Sequence, residues 1–206
     1  MAPRFLAELL TADVLEAQRR AYGRQYQTQS GVSADVIGPV EAAFIAARDS
    51  FYLSTVSASG WPYIQHRGGP KGFLQVLDPH TLAFADFKGN RQLVSTGNVS
   101  GNDRVALFVM DYPNRARLKI LGHARVVDAQ DDPALADALT TPELRRRVER
   151  MFVIDLVGLD WNCSAYITPR FTAEDVAAAA EPLRDRIAAL RAELDTMKSR
   201  ADLVRE

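Results

Sequence analysis

The chain has 206 residues, of which 47% are hydrophobic, 25% charged and 8% aromatic, a composition typical of globular proteins. The formal net charge is −1, from 25 Lys and Arg against 26 Asp and Glu, so the totals do not indicate a nucleic-acid-binding protein. The single cysteine, Cys163, excludes an internal disulfide framework and a multi-cysteine metal centre. The histidines (His66, His80 and His123) are too scattered for a local ligand motif, so we expect no dedicated metal site.

Targeting signals are also missing from the pattern. No uninterrupted apolar run approaches the roughly 18 residues that a membrane-spanning helix needs. Glu8, Asp13 and Glu16 interrupt the apolar pattern near the N-terminus, which a secretory signal peptide does not tolerate. We therefore expect a cytoplasmic protein.

The first part of the chain predicts helices. Apolar residues at helical spacing predict an amphipathic helix over residues 3–21, followed by a polar connecting loop over residues 23–38. A short helix is predicted from Val40 to Arg48, directly after Pro39. This organisation predicts three parts: an N-terminal helical arm and loop (1–38), a central domain (39–171) and a C-terminal helical extension (172–206).

From Phe51 onward the chain changes to short strand-like runs separated by turn residues. The runs are FYLSTVS, WPYIQHR, GFLQVLD, TLAFADF, RVALFVMDY and ARLKILGHARVVD, and a short helix is predicted from Asn90 to Asn98. Two short helices are predicted within residues 133–150, and FVIDLVGL and SAYITPR predict two more strands. Short consecutive strands with tight turns cannot form a parallel βαβ sheet, so the pattern favours a small antiparallel barrel.

The C-terminal segment predicts a long helix with a narrow apolar stripe. Thr172 and Asp175 match a capping box, and Pro182 is expected in the first turn of a final helix. From there the apolar residues alternate steps of four and three, as in a coiled coil: Leu183, Ile187, Leu190, Leu194, Met197, Ala201 and Val204. Two interpretations remain open, a helix packed on its own barrel and a coiled coil between subunits.

Cationic residues and glycines concentrate between residues 60 and 92. Arg67 and Lys71 lie at the end of one predicted strand and the start of the next. Lys88, Asn90, Arg91 and Gln92 follow where the strand FADF leads into the predicted helix. Cationic side chains and free backbone amides at a helix N-terminus bind phosphate, and glycines at 68, 69, 72 and 89 permit a close approach.

These segments resemble the pyridoxamine 5′-phosphate oxidase-like family of FMN-binding split barrels. The resemblance runs from about Ala43 to Pro169 and is carried by FYLSTVSASGWPYIQHRGGPKGF, LAFADFKGNRQ and NDRVALFVMDYPNRARLKILGHARVV. The family's Ser-Arg-Lys hallmark falls on Asn90-Arg91-Gln92, and VALFVMD corresponds to its following apolar strand. The resemblance implies a mainly β fold with peripheral helices, built on a six-stranded antiparallel split β-barrel. It further implies an FMN cofactor and a homodimer with the flavin at the subunit interface.

The family site transfers onto named residues of this sequence. Asn90 and Arg91 would bind the phosphate of FMN, Gln92 replaces a frequent lysine, and Lys88 would compensate for that lost charge. Arg67 would lie under the flavin ring and ribityl chain, and Lys71 falls one residue from a family lysine. The resemblance places Asp86 and Phe87 beside the ribityl phosphate. It assigns Arg117 to the flavin ring bound by the other subunit, and Trp161 to closure of the site.

The sequence departs from true pyridoxamine phosphate oxidases in the substrate site. Their C-terminal Arg-x-His pattern is replaced by ITPRFTAEDVA, and their Tyr…Arg…Ser set is missing from DPALADALTTPELRRRVERM. The family's flavin site therefore transfers, whereas its vitamin B6 chemistry does not. The LRRRVER run (residues 144–150) is expected on a short helix with a solvated or subunit-facing surface.

Several functions remain compatible with the sequence. The first hypothesis is an FMN-dependent oxidoreductase with a small-molecule electron donor or acceptor. The second is a non-catalytic protein that stores or senses flavin, and the third is a deazaflavin- or haem-binding relative. His66 and His123 would be the ligands of a haem, but the sequence favours solvated or hydrogen-bonded histidines. Cys163 is expected to be a buried, inert thiol rather than a redox group.

Overall fold

The computed structural model describes residues 3–27, 31–161 and 165–203. The described helices are α1 (Pro3–Leu9), α2 (Ala12–Tyr22), α3 (Pro39–Ala46), α4 (Val94–Gly101), α5 (Pro133–Ala138), α6 (Pro142–Arg145) and α7 (Ala173–Leu203). The strands are β1 (Ser50–Val56), β2 (Pro62–Gly68), β3 (Gln75–Asp78), β4 (Thr81–Phe87), β5 (Arg104–Asp111), β6 (Ala116–Asp128) and β7 (Val148–Trp161). Cys163 and Val204 lie outside the described residues, as does the side chain of Ala201.

The seven strands form one antiparallel sheet in the order β2-β1-β5-β6-β7-β4-β3. Residues alternate between the core and the outer face along β1 and β5, the pattern expected of a sheet with one face against the core. The long strand β7 lies between β6 and β4 and so joins the two halves of the sheet. The mainly β, split-barrel class is confirmed, with seven described strands instead of the predicted six.

Three predicted elements differ from the structure. The single N-terminal helix is divided into α1 and α2, because Thr11 has extended backbone angles (φ −68°, ψ 169°) and begins a new helix. The described part of SAYITPR contains no strand, since β7 ends at Trp161. The helical region predicted over 133–150 ends at Arg145, and β7 starts at Val148.

The main core lies between the two halves of the sheet and is built on aromatic rings. Phe84 and Phe152 stack with their ring centroids 5.0 Å apart, and Phe51 meets Phe84 edge-on at 5.2 Å. Leu53, Leu107 and Ile120 are among the fully buried aliphatic residues of the same core. Buried aromatic pairs in these geometries stabilise a core by about 0.5–1.5 kcal/mol beyond their area.

Gly158 permits helix α1 to lie directly on strand β7. A Cβ atom at this position would lie 2.7 Å from the backbone nitrogen of Phe5, closer than real side chains come. The Phe5 side chain is buried in consequence. The helix is thus attached to the sheet by a backbone approach that the side chain of any other residue would block.

The chain divides into two compact units. The larger comprises the described residues up to Asp111 together with Arg115–Tyr166, and it contains the whole sheet. The smaller comprises Tyr112–Asn114 and the described residues from Ile167 onward. No helix in the described ranges is both long and apolar enough to cross a membrane.

Helix α7 confirms one predicted feature and corrects another. The Thr172 hydroxyl accepts the Asp175 N–H at 3.1 Å, and the Asp175 carboxylate accepts the Thr172 N–H at 2.9 Å, so the capping box is present. Pro182, however, lies inside the helix instead of in its first turn. The preceding run of alanines has the highest helix propensity, which favours helix on the N-terminal side of the proline.

Candidate functional site

A cleft of ≈ 180 Å³ opens where strands β2, β4 and β7 meet the turn that precedes helix α4. Its walls contain side chains from all four segments, among them those of Gln65, Arg67, Asp86, Arg91, Ser95 and Arg150. The strands place Arg67, Asp86 and Arg150 at one end of the sheet's core. The cleft is therefore built from chain segments that are far apart in sequence.

A buried ionic cluster forms the floor of this cleft. Arg67 donates through Nη1 to Oδ1 of Asp86, and Arg150 donates through Nη1 to Oδ2 of the same carboxylate at 3.0 Å. The side chains of Arg67, Asp86 and Arg150 are 12%, 11% and 14% exposed. Arg150 also donates to the Glu149 carboxylate at 3.1 Å. Because buried charges are costly to desolvate, a cluster like this persists only with nearly complete pairing.

Aromatic rings pack against the Arg67 guanidinium. Its guanidinium carbon lies 5.1 Å from the Phe152 ring centroid and 5.6 Å from that of Phe84, so the aromatic core holds the group in place. Its Nε is buried and has no hydrogen-bond partner among the residues that the structure describes. Buried donors in native proteins are almost always paired. Arg67 also lines the cleft, so its guanidinium is a candidate for binding an anion there, whereas the Nε itself is closed to a ligand.

The turn from Gly89 to Leu93 has an unusual backbone. Arg91 and Leu93 have φ values of 61° and 54°, the left-handed region that residues other than glycine rarely occupy. The Asn90 side-chain carbonyl accepts the Gln92 N–H at 3.1 Å, which stabilises the turn. Helix α4 consequently begins at Val94, four residues later than predicted, and Asn90, Arg91 and Gln92 lie in the turn ahead of it.

Two buried hydrogen bonds fix helix α4 against the sheet. The Ser95 hydroxyl donates to the Gln65 side-chain oxygen at 2.9 Å, and the Asn98 amide donates to the Thr55 hydroxyl at 2.9 Å. Ser95 and Thr55 are fully buried. The helix therefore holds its end of the cleft in a defined position relative to strand β2.

The structure brings most of the predicted cofactor-binding residues together. Six of the ten line this single cleft: Arg67, Asp86, Phe87, Asn90, Arg91 and Gln92. They come from two strands and a turn, and no regular sequence spacing relates them. Their roles toward a ligand stay predictions.

The other four predicted residues do not line the cleft. Lys71 lines a neighbouring cleft of ≈ 200 Å³ beside α5 and α6, because the turn through Gly72 (φ 81°) carries it there. Lys88 is exposed. Arg117 lies on β6 with its guanidinium 5.7 Å from the Phe108 ring, and its Nε is also buried, without a partner in the described part of the chain. Trp161 packs edge-on against Phe44 at 4.7 Å and donates to Glu41 at 2.8 Å.

Sequence reasoning missed Arg150 and placed it on a short helix with a solvated or subunit-facing surface. The structure places it on β7, where it neutralises Asp86. One signal was available: Arg150 and Phe152 alternate in sequence, so on a strand Arg150 shares one face with a buried phenylalanine. The run of arginines directly before it obscured that alternation.

The histidines of the haem hypothesis contact other groups. His66 lies on β2 with its ring 5.6 Å from that of Tyr52. His123 lies on β6 with Nδ1 3.0 Å from the Asp103 carboxylate. Within the described residues, no group of three or more His, Cys, Asp or Glu side chains is arranged to hold a metal ion.

The fold and the cleft together define a split-barrel protein with an arginine-rich cleft beside a helix N-terminus. Comparison with family models identifies the family itself: residues 37–152, more than half of the chain, match the model of the pyridoxamine 5′-phosphate oxidase family. The chain belongs to this family. A search of curated proteins found no match.

Solved structures with a similar fold come from several bacteria. HupZ of Group A Streptococcus is 14% identical, with 59% of this chain and 91% of that chain covered and a TM-score of 0.47. General Stress Protein 26 of Bacillus anthracis is 16% identical, with 63% and 92% covered and a TM-score of 0.45. An FMN-binding protein of Syntrophomonas wolfei is 15% identical, with 59% and 83% covered and a TM-score of 0.43.

Proposed function

We propose that this protein binds FMN, with the phosphate group in the cleft, and acts as an FMN-dependent oxidoreductase distinct from pyridoxamine phosphate oxidase. The observation that carries the proposal is the meeting of three arginines (Arg67, Arg91 and Arg150) in one cleft ahead of helix α4. The Arg67 guanidinium is held there against two aromatic rings. A phosphate oxygen is the acceptor that an arginine fork binds best. Membership in the pyridoxamine 5′-phosphate oxidase family supports a flavin as the ligand.

The cleft offers the donors that a phosphate requires. Arg91 extends from the turn, and the backbone N–H groups of that turn lie just ahead of the α4 N-terminus. Turns with left-handed residues form concave arrangements of amides that bind anions. Gly89 adds no side chain to the wall, and a Cβ there would meet nothing closer than 3.8 Å. These groups fit the terminal phosphate of FMN, which riboflavin lacks.

Asp86 would repel a phosphate if it were not neutralised. Arg67 and Arg150 each donate to one of its carboxylate oxygens. The cleft wall contains three arginines against two carboxylates, which leaves one net positive charge. We infer that Asp86 orients the two arginines, and that Arg150 frees part of the Arg67 charge for the ligand.

One chain supplies only part of the volume that FMN requires. The cleft has ≈ 180 Å³, whereas pockets for ligands of comparable size span about 300–1,000 Å³. The flavin ring would therefore extend beyond the cleft, toward a second subunit. Arg117, which the family resemblance assigns to the flavin ring of the other subunit, does not line the cleft of its own chain. We propose a homodimer in which Arg117 of one subunit faces the flavin held by the other.

When bound, FMN would supply hydride and electron transfer at its ring, and the protein would supply position and electrostatics. Arg67, Arg91 and the turn amides would hold the phosphate. Asp86 and Arg150 would orient Arg67, while Ser95 and Gln65 would hold helix α4 in place. No residue of the chain needs to act as nucleophile in such a reaction.

Pyridoxamine phosphate is not the expected substrate, because its own phosphate would need a second cationic site. The neighbouring cleft beside α5 and α6 contains Lys71 as its single basic residue. Arg145, which could substitute from α6, donates to Asp137 at 2.6 Å and to the Ala129 carbonyl at 3.3 Å. Neither this cleft nor Arg145 therefore offers a bidentate anchor for a second phosphate.

The first experiment is an absorbance spectrum of the freshly purified protein, with mass identification of any molecule released by heat. We expect a yellow protein that releases FMN. Fluorescence quenching titrations should then show tighter binding of FMN than of riboflavin, and equal affinities would contradict the phosphate-binding cleft. Bleaching by a reduced nicotinamide and recolouring in air would support the oxidoreductase. A yellow protein inert to every reductant would favour flavin storage or sensing instead.

The second experiment tests the substrate. The FMN-loaded protein should form pyridoxal phosphate from pyridoxamine phosphate at least about a thousandfold more slowly than a genuine oxidase, because losing the anchor costs several kcal/mol in the transition state. A kcat/KM within about tenfold of the genuine enzyme would show that another group anchors the substrate.

A further inference from the structure

Helix α7 carries an exposed apolar stripe that the proposed flavin site does not use. Its described members repeat at alternating steps of four and three: Val176, Ala180, Leu183, Ile187, Leu190, Leu194 and Met197. We call these residues the heptad seam. The six larger side chains are between 46% and 67% exposed. In coiled-coil notation Ala180, Ile187 and Leu194 occupy a positions, and the others occupy d positions.

The charges that flank the seam are almost all positive. The e positions hold Arg184, Arg191 and Lys198, and the g positions hold Arg186, Glu193 and Arg200. Acidic residues of the same helix lie on its far side, with Glu181 and Asp195 at b and Asp185 at f. Because e and g residues face the partner helix, they decide which partner a coiled coil accepts.

These flanks oppose pairing with a second copy of the helix. In a parallel pair, Glu193 would meet Lys198 of the second copy, but Arg186 would meet Arg191. In an antiparallel pair with Ile187 opposite Leu190, Arg186 would meet Glu193, but Arg184 would meet Arg191. Each favourable contact is thus offset by a contact between two arginines. The e and g positions of each helix hold five cationic side chains and one carboxylate.

The shape of the seam opposes a lipid surface. It covers two of every seven positions, the narrow stripe of a coiled coil, whereas helices that lie in a membrane interface have a wide apolar face. The described helix from Ala173 to Leu203 also contains no Trp, Tyr or Phe that could enter the headgroup region.

We infer that the heptad seam binds an amphipathic helix of another protein whose a and d positions are apolar and whose e and g positions are mainly Glu and Asp. Such a helix buries the exposed leucines and places carboxylates beside Arg184, Arg186, Arg191, Lys198 and Arg200. The interaction needs no flavin, so Arg91→Ala leaves it unchanged.

The test uses the full chain and two synthetic four-heptad peptides with Ile at a and Leu at d. One peptide has Glu at every e and g position, and the other has Lys. In fluorescence anisotropy, we expect the Glu peptide to bind at least about tenfold tighter than the Lys peptide, with an affinity that falls as salt rises. Equal binding, or tighter binding of the Lys peptide, overturns the proposal.

Three variants sharpen the test. Leu190→Asp should abolish binding of the Glu peptide, whereas Ala192→Asp, which adds the same charge at the opposite f position, should preserve it. The triple variant R184E/R191E/K198E should invert the preference toward the Lys peptide. The proposal is overturned if Leu190→Asp and Ala192→Asp affect binding equally, or if the triple variant still prefers the Glu peptide.

Two further outcomes would assign the seam to another occupant. In sedimentation equilibrium without peptide, a mass that falls with Leu190→Asp and not with Ala192→Asp would identify a second copy of this chain. Binding to vesicles of phosphatidylcholine and phosphatidylglycerol that depends on Leu190 would identify a membrane surface. Either result overturns the acidic-helix proposal, and neither one bears on flavin binding in the cleft.

Discussion

At the residue scale, Arg91 combines backbone strain with exposure at the proposed phosphate position. A left-handed arginine costs about 1–2 kcal/mol relative to an ordinary backbone conformation. Such strain persists where the surrounding structure imposes it, often at ligand-binding turns. We expect Arg91→Ala to weaken FMN binding by roughly 2–4 kcal/mol and to leave riboflavin binding unchanged, because only FMN carries the phosphate.

Fluorescence titration with both flavins measures this effect. Arg91→Gly should weaken FMN binding as much as Arg91→Ala does. Because glycine adopts the left-handed turn without strain, this variant distinguishes loss of the guanidinium from a change in the backbone. The matched control is Arg125→Ala, an exposed arginine paired with Asp155 at 3.0 Å on the sheet. A control that loses as much FMN affinity as Arg91→Ala would contradict the assignment.

Asp86 carries the second prediction at this scale. Removing its carboxylate leaves Arg67 and Arg150 buried without their shared partner. Breaking a buried ionic cluster in this way costs about 3–5 kcal/mol, so Asp86→Ala should lower the free energy of unfolding by that amount. Asp155→Ala removes an exposed partner of Arg125 and should cost less than about 1 kcal/mol. Urea denaturation measures both, and similar losses would show that the Asp86 cluster contributes no special stability.

At the element scale, Pro182 lies inside α7, where it cannot donate to the carbonyl four residues earlier. We expect Pro182→Ala to slow amide hydrogen exchange in the neighbouring turns of α7, because it restores one hydrogen bond and removes a steric clash, which together are worth about 3 kcal/mol. Pro133→Ala is the control, since Pro133 occupies the first position of α5, where an N–H has no partner within the helix. Exchange that slows equally around both sites, or around neither, would contradict the prediction.

The elements also show how far the sequence determined the fold and the cleft. Strands β1, β2 and β4–β6 follow from alternation and from turn residues, which are local signals. The turn at Arg91 and Leu93 was not predictable, because non-glycine residues rarely adopt positive φ and nothing in the pattern marks them. The pairing of Arg150 with Asp86 depends on β7 lying beside β4, a contact between distant segments that spacing does not encode.

At the scale of the whole molecule, the proposed homodimer builds each flavin site from residues of both subunits. The cleft with Arg91 would come from one subunit and Arg117 from the other. Arg91→Ala and Arg117→Ala should therefore each weaken FMN binding when present in both subunits. A mixed dimer with one copy of each variant would contain one intact site, because the Arg91→Ala subunit still supplies Arg117 to the intact cleft of its partner. A two-fold symmetric interface makes this complementation obligatory.

The measurement is an FMN titration of the two variants, first separately and then after they have been unfolded and refolded together in equal amounts. Random pairing produces mixed dimers for half of the molecules, and half of their sites are intact. About a quarter of all sites should then bind FMN with the affinity of the unmodified protein, as a two-fold symmetric shared site requires. If Arg117 acted within its own chain, or only through the Phe108 ring, mixing would restore no tight sites. A stable monomer that still binds FMN tightly in sedimentation would contradict the shared site directly.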